Sequence, residues 1–197
     1  HDGLTGLHNR AYFEAEMARL DSAGHLPLSI VMGDANGLKL TNDAFGHEAG
    51  DGLLKQISSI LKKCCRSEDI IARWGGDEFA VLLPNTGERA ANSICRRIRL
   101  MCARTEGLTV QPSVALGVAT RTVLSQSVSE TLRQAEDRMY HSKLIESKST
   151  RNAIVAGLVR ALGERAFQTE EHTKRLERLV VPFGKADRKS TRLNSSH

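Results

Sequence analysis

Three carboxylates in this chain are spaced to do chemistry together. Asp34 follows the apolar run 26–32 (Leu-Pro-Leu-Ser-Ile-Val-Met) and Gly33, and that run is too short for a helix and reads as a buried strand. Asp77 and Glu78 follow Gly75-Gly76 between the strand-like runs 70–74 and 78–83, a hairpin signal because glycines supply the positive φ of tight turns. If the two strands are neighbours in one sheet, the acids converge as hard oxygen ligands, a donor set suited to Mg2+ or Mn2+. No histidine lies within a few residues of them, which argues against a zinc centre. Carboxylates joined by substrate phosphates are the usual way such ions are held at phosphoryl-transfer sites. Strand alternation sends Asp77 and Glu78 to opposite faces unless the turn rotates them, so the expectation is Asp77 beside Asp34, with Glu78 in support. Taken alone, Gly75-Gly76-Asp77-Glu78 reads equally well as a solvated hairpin tip.

The elements that must position these acids are legible from periodicity. A first helix is expected from Asn9, an N-cap type, to Gly24, with Tyr12, Phe13, Met17 and Leu20 on one face. After the Asp34 strand come a helical segment over 38–45, a break at Gly46-His47, and a helix opening at Gly50-Asp51 with Leu53, Leu54, Ile57, Ile60 and Leu61 at helical spacing. The hairpin is followed by a helix over 90–103, a strand over 110–120 and an amphipathic helix over 128–145. The order α-β-α-α-β-β-α-β-α with a tight hairpin excludes a wholly parallel sheet, and with it a doubly wound nucleotide fold. The fold class is therefore mixed α/β (α+β), with a central, mostly antiparallel sheet flanked by helices and a C-terminal helical extension over 150–183.

Charge and composition narrow the function. The chain has 197 residues and a formal charge of +5, yet residues 1–149 are neutral and the excess lies at 150–186 (+3) and 187–197 (+2). A neutral folded body argues against a nucleic-acid polymer as partner, because phosphate neutralisation dominates that affinity. No run approaches the roughly 18 apolar residues of a membrane span, and His1-Asp2-Gly3-Leu4 is not a signal sequence. The absence of an initiator Met suggests an excerpt from a longer protein, leaving room for an upstream membrane or sensor segment. Cys64, Cys65, Cys95 and Cys102 form no CxxC pair and read as reduced core thiols, in keeping with a cytoplasmic location.

Gly75-Gly76-Asp77-Glu78-Phe79 spells the signature of the GGDEF-domain family of diguanylate cyclases, and the resemblance runs from Asp2 to about Lys148. The opening, Asp2 to Arg10 (DGLTGLHNR), is similar to the family's DxLTGLxNR, and Asn42 to Asp51 (NDAFGHEAGD) to its NDxxGHxxGD stretch. The resemblance implies a nucleotidyl-cyclase-like, palm-like fold that condenses two GTP into cyclic di-GMP at the interface of a homodimer. It implies that Asp34, the Ala35 carbonyl, Asp77 and Glu78 serve the metal, with Asp77 or Glu78 taking the 3′-hydroxyl proton. Asn42 and Asp51 then recognise guanine with His47 alongside, a carboxylate matching the paired N–H donors of that base. Gly37, Leu38 and Lys39 face the phosphates, and Lys143, in Tyr140-His141-Ser142-Lys143, meets the terminal one. Glu146-Ser147 stand where the family commonly has Gly-Arg, Asn36 replaces a frequent Asp, Leu38 a frequent Phe and Trp74 a frequent Tyr.

Arg66-Ser67-Glu68-Asp69 stands at the spacing of the family's inhibitory RxxD site for the product, and Arg97 is expected to join it from the next helix. Read without the family, the same four residues are a surface loop with an Arg–Asp pair. The stretch 152–179, above all Gln168 to Leu176, resembles the start of an HD-GYP phosphodiesterase domain, but the HD pair and further ligands are absent, so no hydrolysis is implied. Residues 187–197 (DRKSTRLNSSH) resemble a translated sequencing-library adapter, and 184–197 reads as a tail. Two functional readings follow: a diguanylate cyclase, or a weakly catalytic GTP-binding, dimerising module that regulates an adjacent HD-GYP phosphodiesterase.

Overall fold

The computed structural model of the chain describes residues 1–105 and 110–145. Among the described residues five strands form one sheet in the order β1-β3-β4-β2-β5, where β1 is His8–Asn9, β2 Leu28–Ala35, β3 Ile70–Gly75, β4 Glu78–Leu83 and β5 Val114–Arg121. Only β1 and β3 pair in parallel; the other three pairings are antiparallel, the mixed and mostly antiparallel sheet that the hairpin required. Around it lie α1 (Arg10–Arg19), α2 (Leu38–Phe45), α3 (His47–Cys64), α4 (Glu88–Arg104) and α5 (128–145).

Strand alternation divides the core into two layers. Val31, Phe79, Val81, Leu116 and Val118 pack with α3 and α4, whereas Ile30, Met32, Ala80, Leu82 and Ala119 pack with Phe13 of α1 and Ala135 and Met139 of α5. Every residue of β2 is buried, as expected of a central strand covered on both faces. Cys64, Cys95 and Cys102 are buried between α3 and α4, and burial pushes the thiols of Cys95 and Cys102 up to about 11 and that of Cys65 to about 12.

Several expected boundaries need correction. The first helix stops at Arg19 rather than Gly24, and a short 3-10 turn, Ala23–His25, follows. Asn9 does cap it, accepting from the Tyr12 N–H at 2.9 Å, but Tyr12 itself is 43% exposed and stacks on His8 instead of entering the core. Helix α3 begins at His47, not Gly50, because Gly46 at φ 89° turns the chain at once into the next helix. The last strand begins at Val114 rather than 110. The expected C-terminal extension and tail over 150–197, with Glu146-Ser147 and Lys148, lie outside the described residues.

Candidate active site

The end of β2 meets the tip of the β3–β4 hairpin. Asp34 and Glu78 are cross-strand partners and therefore project from the same face of the sheet, the one that α5 covers. Asp77 sits in the turn and is tied in through its backbone, its carbonyl accepting the Ala35 N–H at 2.8 Å. The hairpin closes with Gly75 opposite Glu78, and the register shifts between Arg73 and Gly75, so the strand bulges at Trp74. Gly76, at φ 44°, adopts the left-handed conformation this two-residue turn needs. The structure thus brings all three acids to one end of the sheet.

Asp34 is 3% exposed, and its two oxygens differ. Oδ2 accepts from Lys143 Nζ at 2.5 Å, while Oδ1 is buried and has no hydrogen-bond partner among the described residues. Burial pushes the Asp34 carboxyl above the usual carboxylate range; the Lys143 hydrogen bond opposes this, and the charges of Asp77 and Glu78 add to it. Burial also weighs against the Lys143 ammonium, but the hydrogen bond to Asp34 and the fields of Asp34, Asp77 and Glu78 outweigh it and raise its pKa. A buried carboxylate oxygen left unpaired is costly and calls for a cation. Among the described residues no three acid, histidine or cysteine side chains form a cluster that could hold a metal by themselves. The donor set fits Mg2+ nonetheless, since that ion is commonly held by one or two carboxylates with substrate phosphates and water completing its shell.

Beside this acid end, α2 opens with Gly37 at its N-cap, and Lys39 is exposed in its first turn. The backbone N–H groups of a helix's first turn lack intrahelical acceptors and favour anions. Asn36 is buried and fixed to the residue just ahead of β5, its N–H donating to the Ser113 carbonyl at 2.9 Å and its Nδ2 to Ser113 Oγ at 3.0 Å. Its amide thus supports the loop at the start of α2.

Asn42 and Asp51 come from the facing ends of α2 and α3. A Cβ on Gly50 would fall 1.9 Å from Asn42 Oδ1, so the side chain of Asn42 lies in the space this glycine leaves. Asp51 follows directly and is exposed, as is His47 at the first position of α3. The turn at Gly46 therefore presents an amide, a carboxylate and an imidazole near one another on the surface.

A clasp at the hairpin was not legible in the sequence. Arg73 donates from Nε and Nη2 to the Gly76 carbonyl at 3.0 and 2.7 Å, and from Nη1 to both Asp2 oxygens at 3.3 and 3.2 Å. Asp2 in turn accepts from the Thr5 N–H at 2.8 Å and the Thr5 hydroxyl at 2.7 Å. The N-terminal turn is thereby fastened to the tip that carries Asp77. The local signal was an Arg two residues ahead of Gly75-Gly76, but its partner is 71 positions away.

At the far end of α3, Asp69 is buried and accepts the Arg66 N–H at 2.7 Å, closing the 66–69 turn through the backbone. Burial pushes the Asp69 carboxyl up, against that hydrogen bond. The Arg66 guanidinium points to Glu68 at 3.7 Å and is largely exposed, while Arg97 of α4 donates to the Cys64 carbonyl at the end of α3. Arg66 and Arg97 therefore lie near the buried Asp69, and both guanidinium charges favour its ionised form against the burial that raises its pKa.

The comparisons with known proteins identify the family. The family model for the GGDEF domain of diguanylate cyclases matches residues 1–149, and the chain belongs to that family. It is 34% identical over 151 residues to the diguanylate cyclase TpbB of Pseudomonas aeruginosa, covering 73% of this chain and 35% of that protein. It is 34% identical over 150 residues to the diguanylate cyclase DgcM of Escherichia coli, covering 73% of this chain and 36% of the relative. The chain thus spans about a third of the length of these relatives. The crystal structure of the GGDEF domain of DgcB from Caulobacter crescentus in complex with c-di-GMP superposes with a TM-score of 0.65 at 27% identity, covering 72% of this chain and 88% of that one. Among the described residues no helix is long and apolar enough to cross a membrane.

Proposed function

We propose that the protein is a diguanylate cyclase that joins two GTP molecules into cyclic di-GMP with Mg2+, each of two antiparallel domains presenting one nucleotide to the other. The observation that carries this reading is the buried Asp34 oxygen without a partner, set at a strand end against Asp77 and Glu78. In this reading Asn42 and Asp51 hold the guanine edge and His47 borders it. The first-turn amides of α2 with Lys39 take the phosphates, and Lys143 exchanges its bond to Asp34 for the terminal phosphate. Asp34, the Ala35 carbonyl and Asp77 would hold the ion, which supplies charge neutralisation at the phosphates and a lower pKa for the attacking 3′-hydroxyl. Asp77 or Glu78 accepts that hydroxyl's proton as its oxygen attacks the partner nucleotide's α-phosphorus in line, and pyrophosphate leaves. Positioning and electrostatics do most of the work in such transfers. Arg66, Asp69 and Arg97 are proposed to bind the product and slow the enzyme.

The test is mass-spectrometric detection of cyclic di-GMP after incubating the chain with GTP and Mg2+ at high protein concentration, beside Asp77→Ala. Product from the unmodified chain alone supports the cyclase. GTP binding by a dimer that forms no product would refute it and favour the second reading, a GTP-binding regulatory module ahead of an HD-GYP-like segment over 150–183. Glu146-Ser147 in place of Gly-Arg is the observation that speaks for that second reading.

A further inference from the structure

Lys143 reaches Asp34 from α5, and α5 owes its place to one residue of β5. Gly117 faces the helix, and a Cβ added there would fall 2.1 Å from the Met139 nitrogen, 2.2 Å from the Ala135 oxygen and 2.8 Å from the Arg138 carbonyl carbon. All three are main-chain atoms, so no rotamer change can make room, and even the smallest side chain would force the helix back by about 1 Å to restore ordinary contact. Met139, over the glycine, and Lys143 are four residues apart and hence stacked on one helical face. From the outer side the seat is fastened by Arg138, which donates to the Val118 carbonyl at 2.5 Å. Arg99 of α4 adds a second fastening, donating to the Leu116 carbonyl at 3.1 Å and to Ser142 Oγ at 3.4 Å, directly beside Lys143.

We infer that Gly117 is a positioning residue: the absence of a side chain there lets α5 sit on the sheet at the depth from which Lys143 reaches the Asp34 end and the terminal phosphate of the nucleotide. The inference rests on the reading above that Lys143 meets that phosphate. Gly117 touches no reacting atom, and its effect passes through the seat of α5. Its signature is thus a selective one, confined to recognition of the terminal phosphate and sparing the guanine contacts of α2 and α3, on the opposite side of the site from α5.

The experiment titrates the full chain calorimetrically with 3′-deoxy-GTP and 3′-deoxy-GDP in Mg2+, nucleotides that lack the attacking hydroxyl and cannot turn over. The unmodified chain is expected to prefer the triphosphate, and Lys143→Met to cut that preference about tenfold, the worth of one charge-assisted contact. Gly117→Ala is expected to cut it by a similar factor, to leave 3′-deoxy-GDP binding unchanged, and to add nothing in the Lys143→Met background. If Lys143→Met leaves the preference intact, the reading of Lys143 fails and takes the inference with it. If Lys143→Met lowers the preference but Gly117→Ala does not, or lowers both affinities equally, the seat alone is refuted. Should Gly117→Ala not fold, Arg138→Leu decides, because it loosens the same seat from the exposed side; a preference unchanged in Arg138→Leu overturns the inference.

Discussion

The acid end of the sheet and the 66–69 turn both gather charged residues, but they are built in opposite ways. At the sheet end, Asp34, Glu78 and Lys143 meet through strand pairing and a helix docked from 109 positions away, and an oxygen is left buried and unpaired. At the turn, the buried carboxylate of Asp69 is satisfied three residues away by the Arg66 backbone, and the guanidinium stays in water. Burial raises both carboxyls, but only the first is left with an unpaired oxygen; in the proposed reading a cation with phosphates relieves it, while the second already has a local donor. The acid end leaves a polar atom for a ligand to satisfy, whereas the 66–69 turn satisfies its buried carboxylate locally and keeps the Arg66 guanidinium exposed beside Glu68.

This contrast can be broken at several points. The largest effect is expected from Asp34→Asn, which removes the charge the acid end is built around: cyclic di-GMP formation should fall by at least about a hundredfold while the chain stays folded. Gly50→Ala comes next. Its Cβ would displace Asn42, and calorimetric GTP affinity should drop about tenfold with secondary structure unchanged by circular dichroism.

Stability should separate the two regions further. The folded pKa of Asp34 lies above its ordinary value of 3.8, so the fold favours the protonated carboxyl. That contribution is complete below the unfolded pKa and is lost as pH rises through the raised folded value, which makes ionised Asp34 a cost at neutral pH. Without metal, Asp34→Asn should therefore raise Tm at pH 7, by about 2–4 °C for each kcal/mol recovered, and the gain should vanish as the pH approaches 4. At the turn, Asp69→Ala takes the acceptor from the Arg66 N–H but also removes a carboxyl that burial raises, so its cost in denaturant unfolding at pH 7 should stay below about 1 kcal/mol. Arg66→Ala should change stability by less than about 0.5 kcal/mol and leave initial synthesis rates intact, while product inhibition in a progress curve disappears.

Much of this was legible in the sequence, and what was not has a common physical cause. The β2 run, helix α2, the β3–β4 hairpin and the acids at its tip follow from local patterning and turn chemistry. Strand β1 did not, since His8–Asn9 is too short to carry a period and exists only because it pairs with β3. The exposure of Tyr12 beside buried Phe13 depends on which face of α1 the sheet accepts. The Arg73 clasp to Asp2 and the close approach of α5 to Gly117 are tertiary contacts with no local signature. Even the pairing of Glu78 with Asp34 needed the register, because alternation alone favoured Asp77; the structure places Glu78 directly across and ties Asp77 in by its carbonyl.

The central claim is that the unpaired Asp34 oxygen marks the catalytic centre of a cyclase. It is tested most directly by following cyclic di-GMP formation from GTP and Mg2+ with the unmodified chain, Asp34→Asn and Arg66→Ala side by side. The account predicts product from the unmodified chain and from Arg66→Ala, and none above background from Asp34→Asn. Equal product from Asp34→Asn and the unmodified chain would contradict it.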